Sequence, residues 1–366
     1  MAIYLGLISG TSMDAIDAAL VDFDVAPMRI IATSATQFEP DLKRRISALI
    51  DHADRVALDE VGQIDVELGM AFARAARALM QGAGISADRV TAIGSHGQTL
   101  RHRPDLSQPF TWQIGDPNTL AEMTGISVVA DFRRRDVAAG GQGAPLLPVF
   151  HDQVFRSENE DRVIANLGGI ANITILTRDS SVTGFDTGPA NRLLDAWIAQ
   201  HLGKEFDVGG EWAASGQVDD TLLRELLEEP YLRLAPPKST GRELFNLPWL
   251  EKKLGLFSRA PRDVQATLQQ FTASTLAAAV RQHAPGAALY VCGGGAHNLG
   301  LLNAIAALIA PNRVASTAAL GLDPDYVEAV AFAWFAKRTL EGLTSSAGSV
   351  TGAKGARILG GVYRYA

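Results

Sequence analysis

The chain has one cysteine, Cys292, so no internal disulfide can staple it and the fold must rest on packed apolar side chains. It has no surplus of basic charge. Lys+Arg number 33 against 40 Asp+Glu, and the formal net charge of −7 argues against nucleic acid or an anionic membrane surface as partner. No apolar run approaches the roughly 20 residues that a bilayer-crossing helix needs. The first residues carry no basic flank of the signal-peptide kind, and their apolar run stops at a polar turn, so the expectation is a cytoplasmic protein. Low-complexity linkers are also missing, which leaves domain boundaries weakly marked. What is present is 366 residues, 47% hydrophobic and 20% charged, enough for two domains or one large α/β unit.

Apolar runs of strand length alternate with stretches of helical spacing. Residues 3–22 read as strand, tight turn, strand, with the turn at Gly10-Thr11-Ser12. A third strand is expected over 30–39, helices over 41–51 and 59–80, and a strand over 90–94 that empties into the turn Ser95-His96-Gly97-Gln98-Thr99. Strands at 110–114 and 127–130 bracket a helix at 119–124, and a polar loop follows over 131–143. Residues 163–176 repeat the design of the opening hairpin. Two such units half a chain apart suggest a duplicated architecture. Helices are expected at 192–201, 264–283, 299–310 and 325–343, a strand at 288–292, and proline-separated helices between 209 and 254. Strands alternating with helices indicate an α/β fold, and the hairpins indicate mixed sheets.

Three glycine-rich turns follow apolar strands: Gly10-Thr11-Ser12, Gly168-Gly169 and Gly293-Gly294-Gly295. The first is neither the G-x-x-x-x-G-K-[ST] loop nor a G-x-G-x-x-G fingerprint. Alone it could be an ordinary hairpin turn. Its hydroxyls, backbone N–H groups and neighbouring carboxylates are also suited to polyphosphate oxygens and a magnesium ion. Taken together, the three turns point to a nucleotide held between two halves, with the triple glycine offering bare backbone to a nucleoside.

A series of motifs runs in order through Gly10-Thr11-Ser12-Met13-Asp14-Ala15-Ile16-Asp17, Ser95-His96-Gly97-Gln98-Thr99, Asp131-Phe132-Arg133-Arg134-Arg135-Asp136-Val137 and Gly140-Gly141-Gln142-Gly143-Ala144-Pro145-Leu146. It continues through Asn166-Leu167-Gly168-Gly169-Ile170-Ala171-Asn172, Phe185-Asp186-Thr187-Gly188-Pro189-Ala190-Asn191, Cys292-Gly293-Gly294-Gly295-Ala296-His297-Asn298, residues 323–332 and Val350-Thr351-Gly352-Ala353. In these motifs the chain resembles the anhydro-N-acetylmuramic acid kinase family. Ala15 departs from that pattern, standing where glycine is expected.

The resemblance implies an α/β, two-lobed actin/hexokinase-like fold with mixed central sheets and an interlobe ATP cleft. We place the first lobe at residues 1–130 plus about 345–366 and the second at 131–344. It implies a kinase that uses ATP and Mg2+, opens 1,6-anhydro-N-acetylmuramic acid with water and phosphorylates O6, giving N-acetylmuramic acid 6-phosphate and ADP. A homodimer is implied, with no nucleic acid or membrane partner. An ordinary sugar kinase acting on a free hydroxyl and a nucleotide-switched, actin-like binding protein are the alternatives.

For the site, the resemblance implies Asp186 as the base that deprotonates water; a helix-capping aspartate is the plain alternative. Nucleotide contacts fall on Gly10, Thr11, Ser12, Met13, Asp14, Ala15, Ile16 and Asp17, on Asn166, Gly168 and Gly169, and on Gly293, Gly294, Gly295 and Asn298, with His297 beside them. Ser9 stands where the superfamily has an aspartate, so Asp14 and Asp17, or Asp186, are the carboxylates left for magnesium. Sugar contacts fall on His96, Arg133, Arg134 and Glu328. A guanidinium fork suits the lactyl carboxylate of the sugar, Arg133 first and Arg134 second. Glu328 could instead close a capping box with Asp325.

Overall fold

The computed structural model describes residues 2–366 except 11, 12, 14, 52–55 and 256–258. The chain divides into two compact units, Met1–Leu146 together with Tyr326–Ala366, and Leu147–Asp325. These boundaries differ from those drawn at 130/131 and near 344/345 on sequence. The segment 131–146 and the helix Val327–Leu340 both belong with the first unit.

In the first unit, strands β1 (Ile3–Ser9), β2 (Ala15–Asp22), β3 (Arg29–Gln37), β4 (Val90–Ser95), β5 (Gln98–Arg103), β6 (Phe110–Ile114) and β7 (Val128–Ala130) follow in chain order. The main sheet runs β7-β4-β1-β2-β3, with the C-terminal strand Gly361–Tyr363 added antiparallel beside β7. β1, β2 and β3 pair antiparallel, whereas β1, β4 and β7 pair parallel. All seven residues of β1 are buried, because both faces of the sheet are covered. Ile3, Leu5 and Leu7 join one core with Ile64, Leu68, Phe72 and Ala76 of the helix Leu58–Gly82. On the opposite face, Gly6 and Gly94 lie directly beneath the backbone of the helix Val327–Leu340. That contact is why this late helix belongs to the N-terminal sheet.

In the second unit, β8 (Arg162–Leu167), β9 (Ile170–Leu176), β10 (Thr183–Pro189), β11 (Ala288–Cys292) and β12 (Val314–Ser316) form a sheet of order β10-β9-β8-β11-β12. β8, β9 and β10 pair antiparallel, and β8, β11 and β12 parallel. Order and sense repeat those of β3-β2-β1-β4-β7. The α/β fold with mixed sheets and a duplicated strand plan is therefore present. The helices Pro261–His283 and Leu299–Ile309 bury Leu276, Val280, Leu301 and Ile305 with Val163, Ala165 and Leu167. A second cluster, built on Trp197, Leu222, Phe245, Leu250 and Phe271, ties the helices Asn191–Leu202, Asp220–Leu227 and Leu247–Leu254 to it.

Local differences from the sequence reading have local causes. Ser95 ends β4 and Gln98 opens β5, which pairs with β6, so only His96 and Gly97 form the turn. The polar segment 131–143 contains a short helix, Arg134–Ala138. Among the described residues no helix is long and apolar enough to cross a membrane.

Candidate active site

His96 directly follows β4, and Arg133 comes three residues after the end of β7. Both therefore project from the carboxyl ends of adjacent parallel strands, where open α/β sheets bind ligands. Glu328 and Phe332 are one turn apart at the start of the helix that crosses these strands. The His96 ring lies on Phe332, centroids 4.8 Å apart. Arg133 Nε donates to His96 Nε2 at 3.0 Å, and Arg133 Nη1 donates to the Gly143 carbonyl at 2.7 Å. Arginine has only donors, so His96 Nε2 must accept, and the proton sits on Nδ1, 2.9 Å from the Gly97 carbonyl. Burial and the Arg133 charge push the His96 pKa down to about 3. Glu328 is shifted the other way: burial raises its carboxyl above the ordinary value, and Arg133 counteracts this.

A neutral buried imidazole makes the folded state bind fewer protons than the unfolded chain. Its stabilising contribution is complete above the unfolded pKa near 6.5, and it is lost as pH falls from there toward 3. His151, in a nest of Phe150 and Phe155, behaves alike, with a pKa lowered to about 3. Each histidine should add about 1.4 kcal/mol per pH unit to the acid loss of stability. In an NMR titration neither imidazole should protonate as pH falls from about 8 to about 4.5. A midpoint near the ordinary value for His96 would contradict its burial beside Arg133.

Glu328 is not half of a capping box. Tyr326 occupies the N-cap position of its helix, no described side chain caps it, and Asp325 lies 2.8 Å from His297 Nε2. Arg134 departs from its neighbour. It is more than half exposed, pairs with Asp131 at 3.6 Å and lines a separate groove of about 460 Å³ with Phe110 and Trp112.

In the second unit, Asp186 lies in β10 next to a register irregularity, and its side chain is buried. Its Oδ2 accepts from Thr240 N at 2.9 Å, its N–H donates to the Lys238 carbonyl at 3.3 Å, and its carbonyl accepts from Tyr231 Oη at 2.9 Å. The strand residue is thus held on several sides by the segment 231–240. It does not cap the following helix, whose N-cap position is Ala190. Lys238 is itself buried, its Nζ 4.8 Å from the Tyr231 ring centre and donating to the Tyr231 and Leu232 carbonyls at 3.3 and 3.2 Å. Burial lowers the Lys238 pKa, and the Asp186 carboxylate opposes that shift.

Of the first glycine turn, Thr11, Ser12 and Asp14 lie outside the described residues. Met13 N donates to the Gly10 carbonyl at 3.2 Å, and Met13 itself adopts φ 56°. Ala15, Ile16 and Asp17 belong to β2, opposite Gln37, Ser9 and Ile8 respectively. Ala15 therefore needs no glycine-like backbone. The other two turns meet each other. A Cβ on Gly293 would stand 2.3 Å from Asn166 Oδ1, and one on Gly295 would stand 2.5 Å from Leu167 Cβ. Gly294 is exposed. The Gly168 and Gly169 carbonyls accept from the N–H groups of Asn191, Ala190 and Arg192 at 3.0, 3.0 and 3.1 Å, which pins the turn. Asn298 caps the helix Leu299–Ile309, accepting from Leu301 N at 2.9 Å. Asn166 Oδ1 is buried without a partner among the described residues, so an acceptor awaits a donor or a cation there.

The sequence profile described as anhydro-N-acetylmuramic acid kinase matches residues 2–365. The chain belongs to the anhydro-N-acetylmuramic acid kinase family. The anhydro-N-acetylmuramic acid kinase of Xanthomonas campestris pv. campestris (strain 8004) is 52% identical over 365 residues, covering 99% of this chain and 97% of that protein. That of Coxiella burnetii (strain Dugway 5J108-111) is 52% identical over 363 residues, covering 98% and 97%. Among solved structures, the activator of the 2-hydroxyisocaproyl-CoA dehydratase from Clostridium difficile with bound ADPNP aligns over 94% of this chain and 99% of its own. Its TM-score is 0.48 and its identity 12%.

In this member of the anhydro-N-acetylmuramic acid kinase family, three of the four expected sugar contacts, His96, Arg133 and Glu328, sit together, and Arg134 points elsewhere. Lys238 and Tyr231 beside Asp186 were missed on sequence. Their segment, Pro230 to Thr240, reads as proline-broken helix, and its one signal was a lysine in an otherwise uncharged Pro-Pro-Lys-Ser-Thr run. Among the described residues no three His, Cys, Asp or Glu side chains converge as a metal site. A magnesium ion arriving with phosphates takes only one or two protein carboxylates, so such a cluster is not required.

Proposed function

We propose that this chain is an ATP-dependent kinase that opens 1,6-anhydro-N-acetylmuramic acid with water and transfers the γ-phosphoryl group to O6. Water attacks the anomeric carbon and gives its proton to Asp186. The bond from that carbon to O6 breaks, and O6 bonds to the γ-phosphorus as ADP leaves. The products are N-acetylmuramic acid 6-phosphate and ADP. What carries the reading is that Arg133, His96 and Glu328 meet at strand ends in a chain matched by this family from residue 2 to 365.

Arg133 binds the lactyl carboxylate with its guanidinium fork. Both His96 nitrogens are engaged, so the imidazole holds that guanidinium in place. Glu328 accepts from sugar hydroxyls beside it. Asn166, Gly168, Gly169 and Gly294 face the nucleotide, and the turn starting at Gly10 takes phosphate oxygens. Asp14 or Asp17 would hold a magnesium ion, which would neutralise charge building on the phosphates. The orphaned Asn166 oxygen suits a donor from the nucleotide. The reading includes a homodimer in the cytoplasm, the former decided by light scattering.

Purified protein with ATP, magnesium and the anhydro-sugar in 18O-water tests the reaction. The product should gain the mass of phosphate plus one labelled water. Gain of phosphate alone would mean an ordinary kinase, and ATP-dependent assembly without turnover would mean a switch protein. Arg133→Ala should raise the sugar KM by about 10- to 100-fold, the range of a hydrogen bond to a charged group, with a smaller effect on the ATP KM. An unchanged sugar KM would move the carboxylate contact to another residue.

A further inference from the structure

We infer that Asp136 and Thr351 are positioning residues for Arg133, acting through Gly143. Asp136 has no exposed surface, so its carboxylate must be satisfied by protein groups. Its Oδ2 accepts from Gly143 N at 2.8 Å, and its Oδ1 accepts from Thr351 Oγ1 at 2.8 Å. The Gly143 carbonyl then accepts from Arg133 Nη1 at 2.7 Å. Asp136 thus grips Gly143 on one side, and Gly143 grips the guanidinium on the other. The joint requires glycine, because φ is +69° and a Cβ would stand 2.7 Å from Val137 Cγ2.

The C-terminal segment reinforces this clasp. Gln142 N donates to the Thr351 carbonyl at 2.8 Å, and Lys354 N donates to the Ala139 carbonyl at 2.9 Å. The motif Val350-Thr351-Gly352-Ala353, which the reaction does not otherwise use, therefore ties down the loop that carries Gly143. Its partner Asp136 lies 215 positions earlier in the chain. A guanidinium set from behind in this way loses less freedom when it meets a carboxylate, so the clasp sharpens recognition of the lactyl group.

The inference rests on Arg133 as the carboxylate contact, and the experiment separates the two. Sugar and ATP KM and kcat are measured for Asp136→Asn, Thr351→Val, Thr351→Ser, Arg133→Ala and the Asp136→Asn/Arg133→Ala double variant. Asp136→Asn keeps the volume but removes the charge, weakening the bond from Gly143 N and forcing the Thr351 hydroxyl to turn from donor to acceptor. It should raise the sugar KM about tenfold, with a much smaller change in kcat and ATP KM. Thr351→Val should act in the same direction by about three- to fivefold, and Thr351→Ser should restore the wild-type value. The double variant should match Arg133→Ala alone, because the effect of Asp136 passes through that arginine.

If Arg133→Ala raises the sugar KM and neither Asp136→Asn nor Thr351→Val does, the inference is overturned and the proposed function stands. Effects of Asp136→Asn and Arg133→Ala that multiply would equally overturn it, since a purely structural aspartate acts independently of the arginine. If Arg133→Ala leaves the sugar KM alone, the carboxylate assignment itself falls. Should Asp136→Asn fail to fold, the Thr351 pair decides, since both variants leave the buried carboxylate in place.

Discussion

Asp186→Asn should lower kcat by about 10²- to 10⁴-fold, the usual loss on removing a general base, while ATP still binds. Asparagine has nearly the volume of aspartate, and its carbonyl oxygen can still accept from Thr240 N. The Lys238 and Tyr231 contacts reach the main chain of residue 186 and survive the change. What is lost is a carboxylate able to take a proton. The turns at Asn166–Gly169 and Gly293–Asn298 are held by their own contacts, so nucleotide affinity should change little. Single-turnover kinetics and ATP titration calorimetry read the two effects separately. Full turnover in the variant would assign the base elsewhere, and loss of ATP binding would point to a role at the phosphates.

The second large effect concerns stability. Gly94→Ala would place a Cβ 1.9 Å from the Phe332 carbonyl, and Gly6→Ala one 1.8 Å from the Ala329 carbonyl and 2.6 Å from Ala333 N. These atoms are backbone of the helix Val327–Leu340 and cannot rotate away, so helix or sheet must shift. Each variant should lose about 3 kcal/mol or more, at the upper end for overpacked cores. The double variant should not fold. Because that helix carries Glu328 and Phe332, the folded fraction should also bind sugar poorly. Gly62→Ala is the control: it lies in the helix Leu58–Gly82 with nothing within 4 Å of an added Cβ, and it should gain about 0.5–1 kcal/mol. Urea midpoints measure the three single variants, and a neutral Gly94→Ala would contradict the close helix–sheet approach.

Some alternatives open on sequence were closed by neighbours far away in the chain. Glu328 and Asp325 have capping-box spacing, yet Asp325 turns to His297 and Glu328 lies beside Arg133. Gly293 and Gly295 suggested bare backbone for a ligand; the approach of Asn166 and Leu167 also requires their missing side chains, and Gly294 is the exposed one of the three. Ala15, standing where glycine is expected, is ordinary strand, and Met13 carries the left-handed backbone conformation. Arg133 and Arg134 are neighbours of one type, and nothing local separates them; the pull of Gly143 and His96 on one and Asp131 on the other does.

By itself, the sequence determined what depends on near neighbours: strand and helix periodicity, the two hairpins of like design, the glycine turns, and motifs dense enough to identify the family. Those signals are short-range, set by side-chain alternation and backbone freedom within a few residues. The tertiary structure alone decided that the helix Val327–Leu340 lies on the N-terminal sheet, that the segment around Lys238 braces Asp186, and that Thr351 reaches Asp136. Each of these joins positions far apart in the chain. Such contacts follow from which faces find room to pack, a property of the folded whole that no local pattern encodes.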